Sequence, residues 1–241
     1  MTLEILPNLE GVSQSAAQQF AVLARQAFER RGRFRVCLAG GSTPRELYRL
    51  LAQSPYLEGL PWEKMEFFWG DERLVPPDDP QSNFHQAHLD LLDHVPVEPD
   101  HIYRMKGELP PAEAAAEYAA QLRSRADPDL GWPSLDLVLL GLGADGHTAS
   151  LFPNSDPTPA ETQPVLAVTG DYQGRPANRI TLTPLVFNSA RQVFFLVSGA
   201  EKAAALAATL GESRDLRRWP AQRIHPGEIT WFVDAAAAAQ G

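Results

Sequence analysis

The sequence predicts an α/β fold: a largely parallel sheet with helices on both faces. Three observations carry the prediction. Short apolar runs such as Phe34 to Ala39 (FRVCLA), Leu135 to Leu140 (LDLVLL) and Gln192 to Val197 (QVFFLV) show little polar alternation, the pattern of strands buried on both faces. Stretches with helical apolar spacing separate these runs. Several runs also empty directly into glycine and hydroxyl residues that open a helix, as βα units do.

Taken in order, Leu3, Ile5 and Leu6 suggest a short first strand. From Ser13 to Arg31, the residues Ala16, Phe20, Leu23, Ala24, Ala27 and Phe28 recur at helical spacing, with Ser13 as the expected cap and Gly32 as the stop. The strand Phe34 to Ala39 runs into Gly40-Gly41-Ser42-Thr43-Pro44 and a helix, RELYRLLAQ. Pro44 suits a first turn, where its missing N–H costs nothing. Met65 to Trp69 (MEFFW) is the next strand and ends in Gly70-Asp71-Glu72-Arg73 and a stiff loop, LVPPDDPQ. Ser82-Asn83 starts a helix expected to reach Val95, with Phe84, Ala87, Leu91 and Leu92 on one face.

A further helix lies between Pro110 and Ala126, followed by the strand that opens at Leu135. Pro153, Pro157 and Pro159 limit any helix after that strand to about two turns. Val165 to Thr169 reads as a strand, and Arg179 to Thr183 alternates like a sheet edge before a helix start at Pro184. Gln192 to Val197 ends in Ser198-Gly199-Ala200-Glu201-Lys202 and a helix, AAALAATL. Ile229 to Val233 (ITWFV) is the last strand, and Ala235 to Ala239 reads as a frayed helix or tail. No linker or internal repeat interrupts the chain, so residues 1–241 are expected to form one domain.

Composition narrows the partners. With 30 acidic against 21 basic residues and a net charge of −9, the chain is poorly suited to nucleic acid or an acidic membrane. An anionic ligand must instead be met by a few basic residues aimed locally. Its one cysteine, Cys37, lies in an apolar run, which excludes an intramolecular disulfide and fits a reduced, cytoplasmic setting. The start, MTLEILPNLEG, lacks the pattern of a signal peptide, and no segment approaches the roughly 20 apolar residues that cross a bilayer.

Three polar clusters at strand ends carry the chemistry. In the first, LDLVLLGLGADGHTASLFP, Asp145 and His147 follow a buried strand, where parallel sheets open a crevice. Histidine suits proton transfer near neutrality, and a carboxylate two positions away can orient it. Gly141, Gly143 and Gly146 also satisfy G-x-G-x-x-G, but the prolines deny the following helix, and Asp145 would set a carboxylate beside the phosphates of a dinucleotide. The second, GGSTP, reads equally as a phosphate cradle at a helix start or as a turn capped by Thr43. The third, Asp71-Glu72-Arg73, reads as an exposed charged turn or as groups held in place by the stiff loop. Arg179 and Lys202 are singly ordinary surface residues; with GGSTP they can neutralise one phosphate dianion. Ser150 lacks a G-x-S-x-G elbow, and His85, His88 and Asp90 have no further ligand cluster to support a metal site.

The ordered blocks LAGGSTPRELY, FFWGDERLVPPDDPQSN, LDLVLLGLGADGHTASLFP, NRITLTP, VSGAEKAAAL and PAQRIHPGEITWFVDAAA resemble the 6-phosphogluconolactonase branch of the glucosamine-6-phosphate isomerase/6-phosphogluconolactonase family over nearly the whole chain. The resemblance implies a Rossmann-like α/β fold. It also implies hydrolysis of 6-phosphoglucono-1,5-lactone to 6-phosphogluconate, the second step of the oxidative pentose phosphate pathway, with no metal or organic cofactor. Carried over by motif, His147 is the base that activates water, Asp145 its neighbouring carboxylate and Arg73 the stabiliser of the oxyanion. Gly41, Ser42, Thr43, Arg179 and Lys202 fall around the 6-phosphate. The deaminase branch carries Asp-Glu-Tyr at the third cluster and a Glu soon after the His. This chain has Asp71-Glu72-Arg73 and no acid between His147 and Asp156. A non-catalytic sugar-phosphate-binding protein on the same scaffold is the remaining class, and intact His147 and Arg73 argue against it. The oligomeric state is left open, a monomer being compatible.

Overall fold

Strand β1 (Thr2–Leu6) leads into the long helix α1 (Leu9–Arg31), capped by Asn8, whose side chain accepts from the Gly11 N–H at 3.0 Å. The helix therefore begins a turn earlier than the sequence suggested. Ser13 lies inside it, because Pro7-Asn8 already supplies the break and the cap. Gly32 closes it in the left-handed conformation at φ 71°. Then follow β2 (Phe34–Leu38), α2 (Thr43–Leu51), α3 (Tyr56–Gly59), β3 (Met65–Trp69) and β4 (Asp71–Arg73). Helix α4 (Asn83–Asp90) stops short of Val95: Ser82 caps its start by accepting from the His85 N–H at 3.1 Å, but the chain breaks at Leu91 and Leu92–His94 form a 3-10 turn.

The second half holds α5 (Pro111–Ser124), β5 (Leu137–Gly141), β6 (Val165–Thr169), β7 (Asn178–Leu182), α6 (Pro184–Asn188), β8 (Val193–Val197), α7 (Ala203–Leu210), β9 (Ile229–Asp234) and α8 (Ala235–Ala238). The computed structural model describes residues 1–156, 158–170 and 174–239, so Pro157 lies outside the described residues. No helix forms between β5 and Pro153; the chain turns instead, with a short bridge pairing Thr148 and Leu151. The Ala-rich end is a short helix capped by Asp234, which accepts from the Ala237 N–H at 2.8 Å.

Six strands form a wholly parallel sheet in the order β1-β9-β8-β5-β2-β3. Every residue of β2 and of β8 is buried, which requires cover on both faces, as expected for an α/β fold. Aromatic side chains fill the layers. Phe34, Phe67, Phe68, Phe195 and Phe232 are fully buried, each contributing roughly 2–3 kcal/mol, and Phe195 stacks on Trp231 at 3.8 Å between ring centroids.

Strands β4, β7 and β6 do not join this sheet. They form a second, antiparallel sheet in that order, pairing Glu72 with Ile180 and Ala167 with Ile180. Along β6, Ala167 and Thr169 are exposed between less exposed neighbours, as in a half-covered antiparallel strand. Gly70 fastens the two sheets: its N–H donates to the Leu38 carbonyl at 3.0 Å, and its carbonyl accepts from the Leu182 N–H at 2.7 Å. The small sheet is thereby held at the carboxyl ends of the parallel strands.

Candidate active site

The turns that follow β2, β3, β5 and β8 line one cavity of about 220 Å³, closed on a further side by Arg175 and by Arg179 of β7. Parallel sheets open at this edge because the backbone runs out of ladder partners there. Of the residues singled out in the sequence, Gly41, Ser42, Thr43, Asp71, Arg73, His147, Arg179 and Lys202 line the cleft. Asp145 stands behind it and reaches it through His147.

The turn after β5 fixes the imidazole. The Gly143 N–H donates to the His147 carbonyl at 2.8 Å, and Thr148 Oγ1 donates to the Gly141 carbonyl at 2.8 Å. Glycine at 143 leaves room for both groups: a Cβ there would stand 2.1 Å from His147 Nδ1 and 2.5 Å from Asp145 Oδ1, so one of them would have to shift. Asp145 Oδ1 lies 2.6 Å from His147 Nδ1 and also accepts the His147 backbone N–H at 3.1 Å. Burial alone would raise the Asp145 carboxyl, but the hydrogen bond and charge of His147 outweigh it and hold the carboxyl below its ordinary range. An ionised carboxylate only accepts, so Nδ1 carries the proton and Nε2 is the nitrogen able to take one.

The small sheet supplies the positive charge. Arg73 on β4 faces Arg179 on β7 directly across the ladder, and the two residues are 5% and 2% exposed. Like charges opposed in this way are unfavourable, and burying them costs several kcal/mol each unless a partner neutralises them. Among the described residues no carboxylate lies within ion-pairing distance of Arg73. Its Nη1 donates to the Gln81 carbonyl at 2.5 Å, and its buried Nε meets no partner. Arg179 donates from Nε to the Pro176 carbonyl at 3.0 Å, and its guanidinium lies over the Phe152 ring. The guanidinium of Arg73 at the edge of the cleft, unneutralised among the described residues, suits an anionic ligand.

The rest of the third cluster ties neighbouring elements together, and Asp71 also lines the cleft. Glu72 accepts from the Arg73 N–H at 2.7 Å, Ser82 Oγ at 2.9 Å, the Asn83 N–H at 2.7 Å and the Phe84 N–H at 2.8 Å, tying β4 to the start of α4. Burial pushes its carboxyl up to about 7, against the pull of those four bonds. Asp71 accepts from Ser150 Oγ at 2.6 Å and from Asn83 Nδ2 at 3.1 Å. Ser150 is buried, bonded to Asp71 rather than to an imidazole, and does not line the cleft, so it is not placed as a nucleophile. Thr43 is the first residue of α2 rather than its cap; Ser42 holds the cap position without bonding the helix, and Gly41 adopts φ 99°. His88 pairs with Asp93 and stacks on Phe84, and among the described residues no group of three or more His, Cys, Asp or Glu gathers as a metal site.

The model of the family described as glucosamine-6-phosphate isomerases/6-phosphogluconolactonase matches residues 7–232. The chain belongs to this family. A 6-phosphogluconolactonase of Nostoc sp. is 38% identical over 242 residues, covering 99% of this chain and 98% of that protein. The crystal structure of 6-phosphogluconolactonase from Thermotoga maritima superposes with a TM-score of 0.84 at 28% identity, over 97% of this chain and 99% of that one. A monomeric glucosamine-6-phosphate deaminase superposes with a TM-score of 0.86 over the full length of both chains. At 22% identity that likeness is one of fold alone.

In this member of the glucosamine-6-phosphate isomerase/6-phosphogluconolactonase family the cleft also holds Arg175, Ser198 and Glu201, which the motifs did not single out. Arg175 sits in a polar loop with no strand end or helix start to mark it. Glu201 lies in the turn beside Lys202. Gly199, at φ 107°, gives its carboxylate room, since a Cβ there would stand 2.5 Å from Glu201 Oε2. Burial holds the Lys202 amine below its ordinary value; the Glu201 and Asp145 charges pull it up, and Arg175 pushes it down.

Proposed function

We propose that this chain is a 6-phosphogluconolactonase, hydrolysing 6-phosphoglucono-1,5-lactone to 6-phosphogluconate in the second step of the oxidative pentose phosphate pathway, and that residues 1–241 form one catalytic domain. The observation that carries this reading is an imidazole oriented by a carboxylate, sharing one cleft with a buried arginine that has no acidic partner among the described residues. Family membership and the lactonases named above support it.

A lactone is an activated ester, so the chemistry needs a base, a positive group and a grip on the substrate. In the proposed mechanism His147 Nε2 takes a proton from water as the water oxygen attacks the lactone carbonyl carbon. Asp145 stabilises the imidazolium that forms, and Arg73 meets the oxyanion. When the tetrahedral intermediate collapses, the ring C–O bond breaks and the imidazolium returns its proton to the departing ring oxygen. The 6-phosphate is gripped by the Gly41-Ser42-Thr43 turn at the start of α2, by the Arg179 fork and by the Lys202 point charge. A base supplying roughly 10²–10⁴ and an oxyanion donor supplying about 10²–10³ are enough for a reaction that already proceeds in water.

A deaminase would need a further acid or base for ring opening, whereas here the ring of Phe152 lies beside the imidazole. No helix of the described residues is long and apolar enough to cross a membrane. The buried Cys37 thiol and the net charge of −9 fit a cytoplasmic enzyme acting on a small molecule. The test is lactone hydrolysis measured above the spontaneous rate, run beside ammonia release from glucosamine 6-phosphate. Lactone turnover without ammonia is expected. His147→Ala should lower kcat by roughly 10²–10⁴ with the fold intact, and Arg73→Ala should lower kcat more than it raises KM. Ammonia release, or full turnover in His147→Ala, would reject the reading.

A further inference from the structure

Phe152 packs against two residues that line the cleft, His147 and Arg179. Its ring centroid lies 5.3 Å from that of His147, with the planes inclined at 43°, and 5.2 Å from the guanidinium carbon of Arg179. The ring is backed by the end of β6: a Cβ on Gly170 would stand 2.4 Å from its Cδ2 and Cε2 atoms. Its carbonyl accepts from Ser155 Oγ at 2.6 Å, and the preceding residue, Leu151, pairs with Thr148. One half-buried ring thus touches both the imidazole and the guanidinium, on a loop held from both sides.

We propose that Phe152 is a positioning residue for both groups. Its ring is the platform on which the Arg179 guanidinium lies and the wall that sets the plane of the His147 imidazole. The proposal rests on the lactonase reading for what those two residues do to substrate. The face of an aromatic ring is electronegative and attracts a cation set over it. An aliphatic side chain of similar bulk fills the same space without that attraction, so leucine and tyrosine separate packing from electrostatics at this position.

The experiment compares the wild type with Phe152→Leu, Phe152→Tyr and Gly170→Ala, the last displacing an unaltered ring. The readouts are the calorimetric Kd of 6-phosphogluconate, and kcat and KM on phosphorylated and unphosphorylated gluconolactone. Phe152→Leu should weaken 6-phosphogluconate about three- to tenfold, raise KM for the phosphorylated lactone alone and lower kcat on both. Phe152→Tyr should stay within about twofold of the wild type, and Gly170→Ala should move Kd in the same direction as Phe152→Leu. Wild-type affinity in Phe152→Leu, or an equal loss in Phe152→Tyr, would overturn the proposal. If the wild type turned over neither lactone while the Kd series kept this order, the lactonase reading would fall and the positioning role would stand. Absence of 6-phosphogluconate binding by the wild type would overturn both.

Discussion

Glu72 accepts hydrogen bonds from three backbone N–H groups and a hydroxyl, yet burial still raises its carboxyl from 4.5 to about 7. Between those values the native state holds a proton that the unfolded chain has released. The contribution of Glu72 to stability is therefore greatest below about pH 4.5 and declines as pH rises to about 7, by roughly 3 kcal/mol at most. Urea unfolding across this window should show a steeper fall in the wild type than in Glu72→Gln, whose side chain does not titrate; parallel curves would reject the assignment. Some contacts of this kind were legible beforehand and others were not. Asp145 and His147 are two residues apart, so their pairing is local and follows from the motif. Glu72 meets its donors across a loop, and Arg73 meets Arg179 across a ladder, so the sequence marks these residues as polar without naming their partners.

Among the elements, the turn after β5 bears most directly on chemistry. Gly143→Ala places a methyl group where the imidazole and the Asp145 carboxylate already lie, so one of them must move. A displacement of about 1 Å at a catalytic group costs up to ~10²-fold, so kcat for the lactone should fall about 10- to 100-fold with little change in KM. Steady-state kinetics beside a thermal melt would check this, and a protein of unchanged kcat would show that the turn tolerates the methyl. The buried strands were readable because a strand covered on both faces leaves an unbroken apolar run. The early end of α4 was not. Its apolar spacing continues through Leu91 and Leu92, and only the backbone at Leu91, φ −138° and ψ −62°, reveals that the turn tightens into a 3-10 segment. The division of β4, β6 and β7 into a sheet of their own was also hidden, because alternation marks a strand without saying which sheet it joins.

At the scale of the whole molecule, a chain of net charge −9 is read as binding an anion by concentrating cations in one cleft. Arg73 and Arg179 come from the small sheet, and Lys202 comes from the turn after β8. Arg179→Ala and Lys202→Ala should each raise KM for the phosphorylated lactone about tenfold or more and leave kcat/KM for unphosphorylated gluconolactone nearly unchanged. Kinetics on the two lactones would decide, and equal losses on both would remove these residues from phosphate recognition. The cleft itself could be anticipated from the carboxyl ends of the parallel strands. Its far wall could not, because it is built by the sheet that the sequence did not separate.

The backbone of one residue, Gly70, is pinned to the end of β2 through its N–H and to the end of β7 through its carbonyl. The segment leaving β2 carries the GGSTP turn, and the strand leaving Gly70 carries Arg73. Mechanically the joint resembles a rivet through two plates, tying the segment that carries the GGSTP turn to the strand that carries Arg73. On the lactonase reading, the two ends of the substrate are met by parts that share one anchor, and their spacing serves as a gauge for ligand length.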